Sequence, residues 1–173
     1  SCAILERIED EKALAREFGF KNKKEIWKLS TLLNKFGEQV KKLTMLKTQQ
    51  ASIEKKQFLD KLYGLGLLNK GAQLEDVLTL TLRNLLERRL QTLVVKQDLA
   101  KSINQARQFI AHGHITIQGK VITSPSYLVT TAEEGSLSFS ASSAFSSPDH
   151  PERAVEVEKV EKVKKVKSKN EKK

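Results

Sequence analysis

The stretch from Ser102 to Ile122, SINQARQFIAHGHITIQGKVI, leaves a folding chain fewer options than any other part of the sequence. Ile103, Ala106, Phe109 and Ile110 recur at helical spacing. Ser102 followed three residues later by Gln105 has the form of a capping box. Gly113 stands where a helix ends in left-handed backbone. These signals predict a helix over 103–111. The second half, ITIQGKVI, reads as a tight hairpin turning at Gln118-Gly119, with Ile115 facing Ile122. A helix, a chain reversal and a hairpin this close together call for an α+β fold, in which a small module of helices carries a short antiparallel hairpin or sheet.

The sequence before that module is helical. Ile4, Leu5, Ile8 and Leu14 keep helical spacing up to Gly19. Asn22 and Glu25 predict a capping box for the next helix. That helix carries Ile26, Leu29, Leu33, Phe36, Val40 and Leu43 on one stripe, with lysines opposite and Trp27 at the stripe's edge. A third helix is predicted from Ile53 to Leu62, and the glycines at 64, 66 and 71 then mark a loop or abrupt turn. Residues 74–97 are leucine-rich and mostly helical, with a short non-helical start around Thr79 and Thr81. Beyond the hairpin, Tyr127 to Val129 and residues 136–140 read as strands. After Phe145 the composition changes, and the last fifteen residues hold eight lysines against two glutamates, which predicts a disordered basic tail. The organisation expected is a helical N-terminal region (1–85), the module (86–129), returning strands and loops (130–147) and the tail (148–173).

Charge narrows the partner. The 173 residues carry a formal net charge of +10, with a pI near 9.7. That balance favours a polyanion, either nucleic acid or an anionic membrane surface. Cys2 is the only cysteine; it excludes an intrachain disulfide and a Cys-x-x-Cys zinc site, and it fits a reducing, intracellular compartment. No apolar run approaches the ~18 residues of a membrane span. The first residues read as a helix and not a signal peptide, and their abrupt start is consistent with a further segment upstream. His112-x-His114 has no third ligand close by. No nucleophile elbow, phosphate loop or dinucleotide fingerprint is present. The expectation is a chain with no cofactor, no metal, no small-molecule substrate, no membrane association and no catalysis.

Within 86–129, Arg88, Arg89, Lys96, Lys101, Arg107 and Lys120 face only Glu87 and Asp98. His112 and His114 add donors that become cationic with a small pKa rise. On the predicted helix, Asn104, Arg107, Gln108 and Ala111 share a face roughly opposite Ile103, Phe109 and Ile110. A guanidinium fork there can hold a phosphate with two bonds, while amides bond ribose hydroxyls. The same spacing also suits an ordinary solvated helix face.

LERRLQTLVVKQDLAKSINQARQFIAHGHITIQGKVITSPSYLV closely resembles the RNA-binding domain shared by small-subunit ribosomal protein family four and its relatives. LERRLQ resembles the family's arginine-rich first helix, QARQFIAHGHI its second helix with the histidine-glycine-histidine turn, ITIQGKVI its hairpin and PSYLV the strand start that follows. KNKKEIWKLSTLLNKF and LEDVLTLTLRNLLERRLQTLV are similar to the archaeal and eukaryotic branch, and the likeness covers most of residues 5–145. Many bacterial members carry a cysteine cluster near the N-terminus; its absence here argues against zinc.

The resemblance implies a structural, non-enzymatic constituent of the small ribosomal subunit, at work in the cytoplasm. It would bind small-subunit ribosomal RNA at a helix junction of the 5′ domain, nucleate subunit assembly and touch neighbouring small-subunit proteins. The alternative is a ribosome-biogenesis factor of the same superfamily that binds precursor RNA. The RNA-contacting positions carried over are Arg88, Arg89, Lys96, Lys101, Ser102, Asn104, Gln105, Arg107, Gln108, His112, His114 and Lys120, with Ser126 and Tyr127 as further candidates. Ser102 and Gln105 have a competing role as a helix cap. Gly113 would let the chain reverse so that Arg107, His112 and His114 converge on one backbone, a set of donors suited to reading structured RNA through phosphates, 2′-hydroxyls and shape.

Overall fold

Apolar stripes at helical spacing are stable only when covered, and two of the three long helices cover theirs by packing on each other and on the segment that follows. The computed structural model describes residues 2–147 and 150–151. Helix α1 spans Cys2–Glu17, α2 Lys23–Met45 and α3 Gln49–Gly64. Five of the six stripe residues of α2 are buried: Ile26, Leu29, Phe36, Val40 and Leu43. Leu33 is half-buried, and Trp27 stands out from the stripe, 48% exposed. Helix α3 starts four residues before the predicted Ile53, because the Thr48 hydroxyl caps it by accepting from the Ala51 amide at 3.2 Å.

The leucine-rich run 74–97 is not one helix. It forms α4 (Leu74–Val77), α5 (Leu82–Glu87) and α6 (Leu90–Lys96). The break between α5 and α6 falls at Arg88 and Arg89, inside the stretch read as an arginine-rich helix. Its cause is non-local. The Leu90 amide donates to the Tyr127 carbonyl (2.8 Å), the Gln91 amide to Pro125 (3.4 Å), and the Arg88 carbonyl accepts from Val129 (3.0 Å). Backbone groups used in this way cannot also join a continuous helix ladder. Thr92 closes the end of α5 by donating its hydroxyl to the Leu86 carbonyl at 2.9 Å. For the same reason Tyr127 to Val129 make no sheet strand; their segment meets Arg89 through an isolated bridge to Leu128.

Helix α7 spans Ile103–Ala111 as predicted, and Gly113 follows its C-cap at φ +74°. The Ser102 hydroxyl accepts from the Gln105 amide at 3.2 Å, but the Gln105 carboxamide oxygen accepts a hydrogen bond from the Lys101 amide (2.7 Å), one residue before the cap. Strands β1 (Ile115–Ile117) and β2 (Lys120–Val121) form the hairpin, and Ile122 donates to Ile115 at 3.2 Å as the register requires. A third strand, β3 (Leu137–Phe139), pairs antiparallel on the other side of β1, so the sheet order is β2-β1-β3. A short helix α8 (Thr131–Glu134), capped by Thr130 and Glu133, precedes β3, and a 3₁₀ turn at Ala144–Ser146 follows it. The tail read as disordered lies outside the described residues, apart from His150 and Pro151.

One core joins α6, α7 and the sheet through Leu90, Leu93, Val94, Phe109, Ile110, Ile115, Ile117, Val129 and Phe139. A second joins α2, α3 and the 74–85 segment through Phe36, Val40, Phe58, Leu62, Val77 and Leu85. Leu86 packs with Phe18 and Leu29 in a third cluster. Leu62, Leu85 and Leu86 are fully enclosed, and each contributes about 1.5–3 kcal/mol through burial.

Gly19 closes the seam between the two regions. It ends α1 at φ +65°, and a methyl group there would lie 2.8 Å from the Gln91 carboxamide and 3.0 Å from the Ile103 side chain. Gly19→Ala is therefore expected to lower stability by about 1–3 kcal/mol through strain and overlap. Urea unfolding of the variant beside the wild-type chain measures it; an unchanged midpoint would refute this account of the seam.

Candidate nucleic-acid interface

The cations of the 86–129 segment divide into two sets. The first is internal. Arg89 has no exposed side-chain surface, and one of its terminal nitrogens donates to Glu25 Oε2 at 2.9 Å. Its guanidinium carbon sits 4.2 Å from the centre of the Phe20 ring, a cation–π arrangement. Arg107 donates to the other oxygen of the same carboxylate at 2.8 Å, and reaches the Gly19 carbonyl at 3.4 Å. Arg88 is paired with Glu134 at 2.8 Å and donates to the Val129 carbonyl at 3.1 Å, with its side chain only 14% exposed.

Glu25 thus holds two arginines. Burial alone would raise its pKa, but the hydrogen bond and charge of Arg107, then the charge and hydrogen bond of Arg89, hold the carboxyl below its ordinary value. Burial pushes the Arg89 pKa down while Glu25 pulls it up; an arginine keeps its charge through a shift of this kind. The predicted capping box at Asn22 does not form, since Asn22 makes no side-chain cap bond and Glu25 is committed to the arginines. No local sequence pattern identifies Glu25 as the acceptor, because its partners lie 64 and 82 residues away.

The second set faces solvent. Lys101, Ser102, Asn104, Gln108 and His112 are exposed along α7 and its two ends, and Lys120 is exposed at the hairpin. Lys96 is exposed beside Glu87, 3.2 Å away. Gly19 lies against Ile103 and its carbonyl accepts from Arg107, and the turn that follows it carries exposed Lys21. Lys21 was not among the expected positions; the basic run Lys21–Lys24 was its only sequence signal. Gln105 is half-buried in its capping bond. His114 is half-buried, shares a 2.9 Å hydrogen bond between Nδ1 and the Ser143 hydroxyl, and packs edge-on against Phe109 and Phe145. Its ring centre is 6.3 Å from that of exposed His112. Ser126 is exposed and lies 3.4 Å from Arg89. The Tyr127 hydroxyl donates to Glu133 at 2.9 Å, a bond that raises the tyrosine pKa.

The guanidinium forks of Arg88, Arg89 and Arg107 thus turn towards carboxylates of the protein itself. The outward chemistry is amine, amide, hydroxyl and imidazole. Such groups donate to phosphates and ribose hydroxyls without a pocket. Among the described residues no three His, Cys, Asp or Glu side chains gather to hold a metal ion, and no helix is long and apolar enough to cross a membrane.

Residues 88–134 match the S4 domain family. The chain is also 45% identical to a small ribosomal subunit protein uS4 of Nanoarchaeum equitans over 147 residues, covering 84% of this chain and 82% of the relative. The chain belongs to the uS4 family. It is 44% identical to the uS4 protein of Ignicoccus hospitalis across 82% of this chain and 86% of the relative, and 47% identical to that of Methanococcus aeolicus across 85% and 84%. These relatives are archaeal, in keeping with the archaeal and eukaryotic branch suggested by the sequence. The matched region runs from Arg88 through α8, so it includes both the ion-paired arginines and the exposed face of α7.

The depressed Glu25 pKa has a definite sign. A carboxyl held below its unfolded value contributes stability in full above that value, and the contribution fades as pH falls through the native one. Glu25→Gln is expected to destabilise the chain near neutrality by about 3 kcal/mol, since Arg89 is left buried without a counter-charge. It should also lose less stability than wild type as pH drops from about 5 into the depressed native range. Urea midpoints measured across that range test both; parallel curves for the two proteins would rule out Glu25 as the titrating group.

Proposed function

We infer that this chain is a structural, non-enzymatic protein of the small ribosomal subunit that binds small-subunit ribosomal RNA. Its place of action is the cytoplasmic ribosome. The observation that carries this reading is the exposed face formed by α7, its histidine-bearing turn and the β1–β2 hairpin, within a segment that matches the S4 domain. The relatives' names, each a small ribosomal subunit protein, support the ribosomal role over a biogenesis factor.

The finer reading is that the RNA is a helix junction of the 5′ domain, bound early enough to nucleate assembly, with neighbouring small-subunit proteins docking beside it. Lys101 and Lys120 neutralise phosphates, while Asn104, Gln108 and His112 donate to ribose and phosphate oxygens. Lys96 and Ser126 are further exposed donors of the same segment. Arg88, Arg89 and Arg107 act by holding α7 and the 88–91 segment in place. His114, Gln105 and Tyr127 serve the surface through the internal bonds already described.

Lys101→Ala and Lys120→Ala are each expected to weaken binding to a 5′-domain RNA fragment and to lower the slope of log affinity against log salt by about 1. Unfolding midpoints should stay at the wild-type value. Arg107→Ala should instead lose stability first, by about 3 kcal/mol, and RNA affinity only as a consequence. Filter binding across a salt series, with an unrelated structured RNA of equal length as control, tests the assignment. Equal affinity for both RNAs would refute a specific ribosomal site.

A further inference from the structure

Trp27 is the chain's only tryptophan, and it stands 48% exposed on α2. The buried stripe of this helix is Ile26, Leu29, Phe36, Val40 and Leu43. At 100° per residue, Lys24, Trp27, Lys28, Thr31 and Lys35 fall together on the opposite side, and all five are exposed. Lys24 and Thr31 lie one turn from Trp27 along that face. The Thr31 hydroxyl is taken up by the Trp27 carbonyl at 2.8 Å. Among the described residues the indole ring makes no ring–ring or cation–π contact.

The half-exposed indole belongs to none of the three core clusters and forms helix less readily than alanine. The exposed half of the ring is open to something outside the chain. The surrounding face identifies what. The core of a protein interface is depleted of charged residues, lysine among them, and a membrane-surface helix carries several large apolar side chains. Here the neighbours of Trp27 are lysines, a threonine and, further on, Asn34 and Glu38, all exposed. One flat π-surface flanked by ammonium groups suits an unpaired nucleobase, which stacks on the ring while its phosphates meet the amines. Lys24 to Lys35 spans about 16 Å of helix, room for a few nucleotides.

We propose that the outer face of α2 is a second RNA contact, in which Trp27 stacks an unpaired base and Lys24, Lys28 and Lys35 neutralise its backbone. This proposal rests on the RNA-binding reading above and extends it to single-stranded RNA on an element outside the S4 match. The two contacts are coupled mechanically. Glu25, two residues before Trp27, is bonded to Arg107 of α7, so α2 cannot turn without disturbing the module.

The sole tryptophan is also the probe. Titrating the full chain with a short single-stranded oligoadenylate should quench its emission, and an RNA duplex of the same length should quench it far less. Trp27→Ala should weaken binding of end-labelled oligoadenylate about tenfold, within the range of base–aromatic stacking. Trp27→Phe, which keeps a π-face, should recover most of that loss, and Lys24→Gln with Lys28→Gln should reduce the salt dependence. Emission unmoved by oligoadenylate, or unchanged affinity in Trp27→Ala, overturns the proposal. So does emission that responds to anionic vesicles and not to RNA. If the Lys101 and Lys120 variants lose affinity for the ribosomal fragment while the Trp27 variants bind oligoadenylate normally, the stacking site alone fails. If no variant changes binding to either RNA, the underlying RNA-binding reading fails with it.

Discussion

Burying a guanidinium removes it from water at a cost of several kcal/mol, and this fold does so with Arg89. The side chain has no exposed surface, and its Nε and one terminal nitrogen have no hydrogen-bond partner among the described residues. What makes the arrangement tenable is Glu25, bonded to Arg89 and Arg107 together, with the Phe20 ring against the buried charge. One carboxylate between two arginines leaves a net positive cluster in a region of low dielectric. The same geometry joins three distant parts of the chain: α2, the 88–91 break and α7. Removing the carboxylate would leave both arginines without their counter-charge, so this single side chain adds a charged tie to the apolar packing that joins these elements.

That constraint shapes the binding surface by subtraction. The residues best equipped by chemistry to grip phosphate, the three arginines, are spent inside the protein on Glu25 and Glu134. Solvent meets lysines, carboxamides, a hydroxyl and one exposed histidine instead. A lysine is a point charge with three rotatable donors and lacks the planar fork of arginine. A surface of that kind follows a phosphate backbone by position and field, which accords with recognition of RNA by shape. The ion pairs then fix the angle at which α7 and the hairpin are presented, and rigidity of the scaffold replaces strength in the individual contact. Since Glu25 sits on α2, the basic outer face of that helix is held in register with α7 as well.

The most accurate sequence readings rest on short-range physics. Helix α7 starts at Ser102 because a hydroxyl can bond an amide three residues on, and it ends before Gly113 because left-handed backbone at φ +74° suits glycine. The Gln118-Gly119 turn sets the register of β1 and β2 in the same local way. The stripe on α2 needs only a period of 3.6 residues to be seen. These features involve residues a few positions apart, so propensity and pattern contain them.

Other features are invisible at that range. Residues 74–97 carry a helical pattern, yet α5 and α6 separate because the backbone at 88–91 is taken by residues 125–129. Asn22 and Glu25 have the spacing of a capping box, yet Glu25 turns to arginines 64 and 82 positions away, where a charge-assisted bond outweighs a cap. Arg88, Arg89 and Arg107 read as exposed phosphate ligands because a cation in sequence gives no sign of the carboxylate it will meet in space. The sequence by itself determined the helical N-terminal region, the α7–turn–hairpin unit, the basic charge and, through motif order, the family. Tertiary structure alone decided which cations face solvent, since pairing of buried charge is settled between segments that come together only when the cores close.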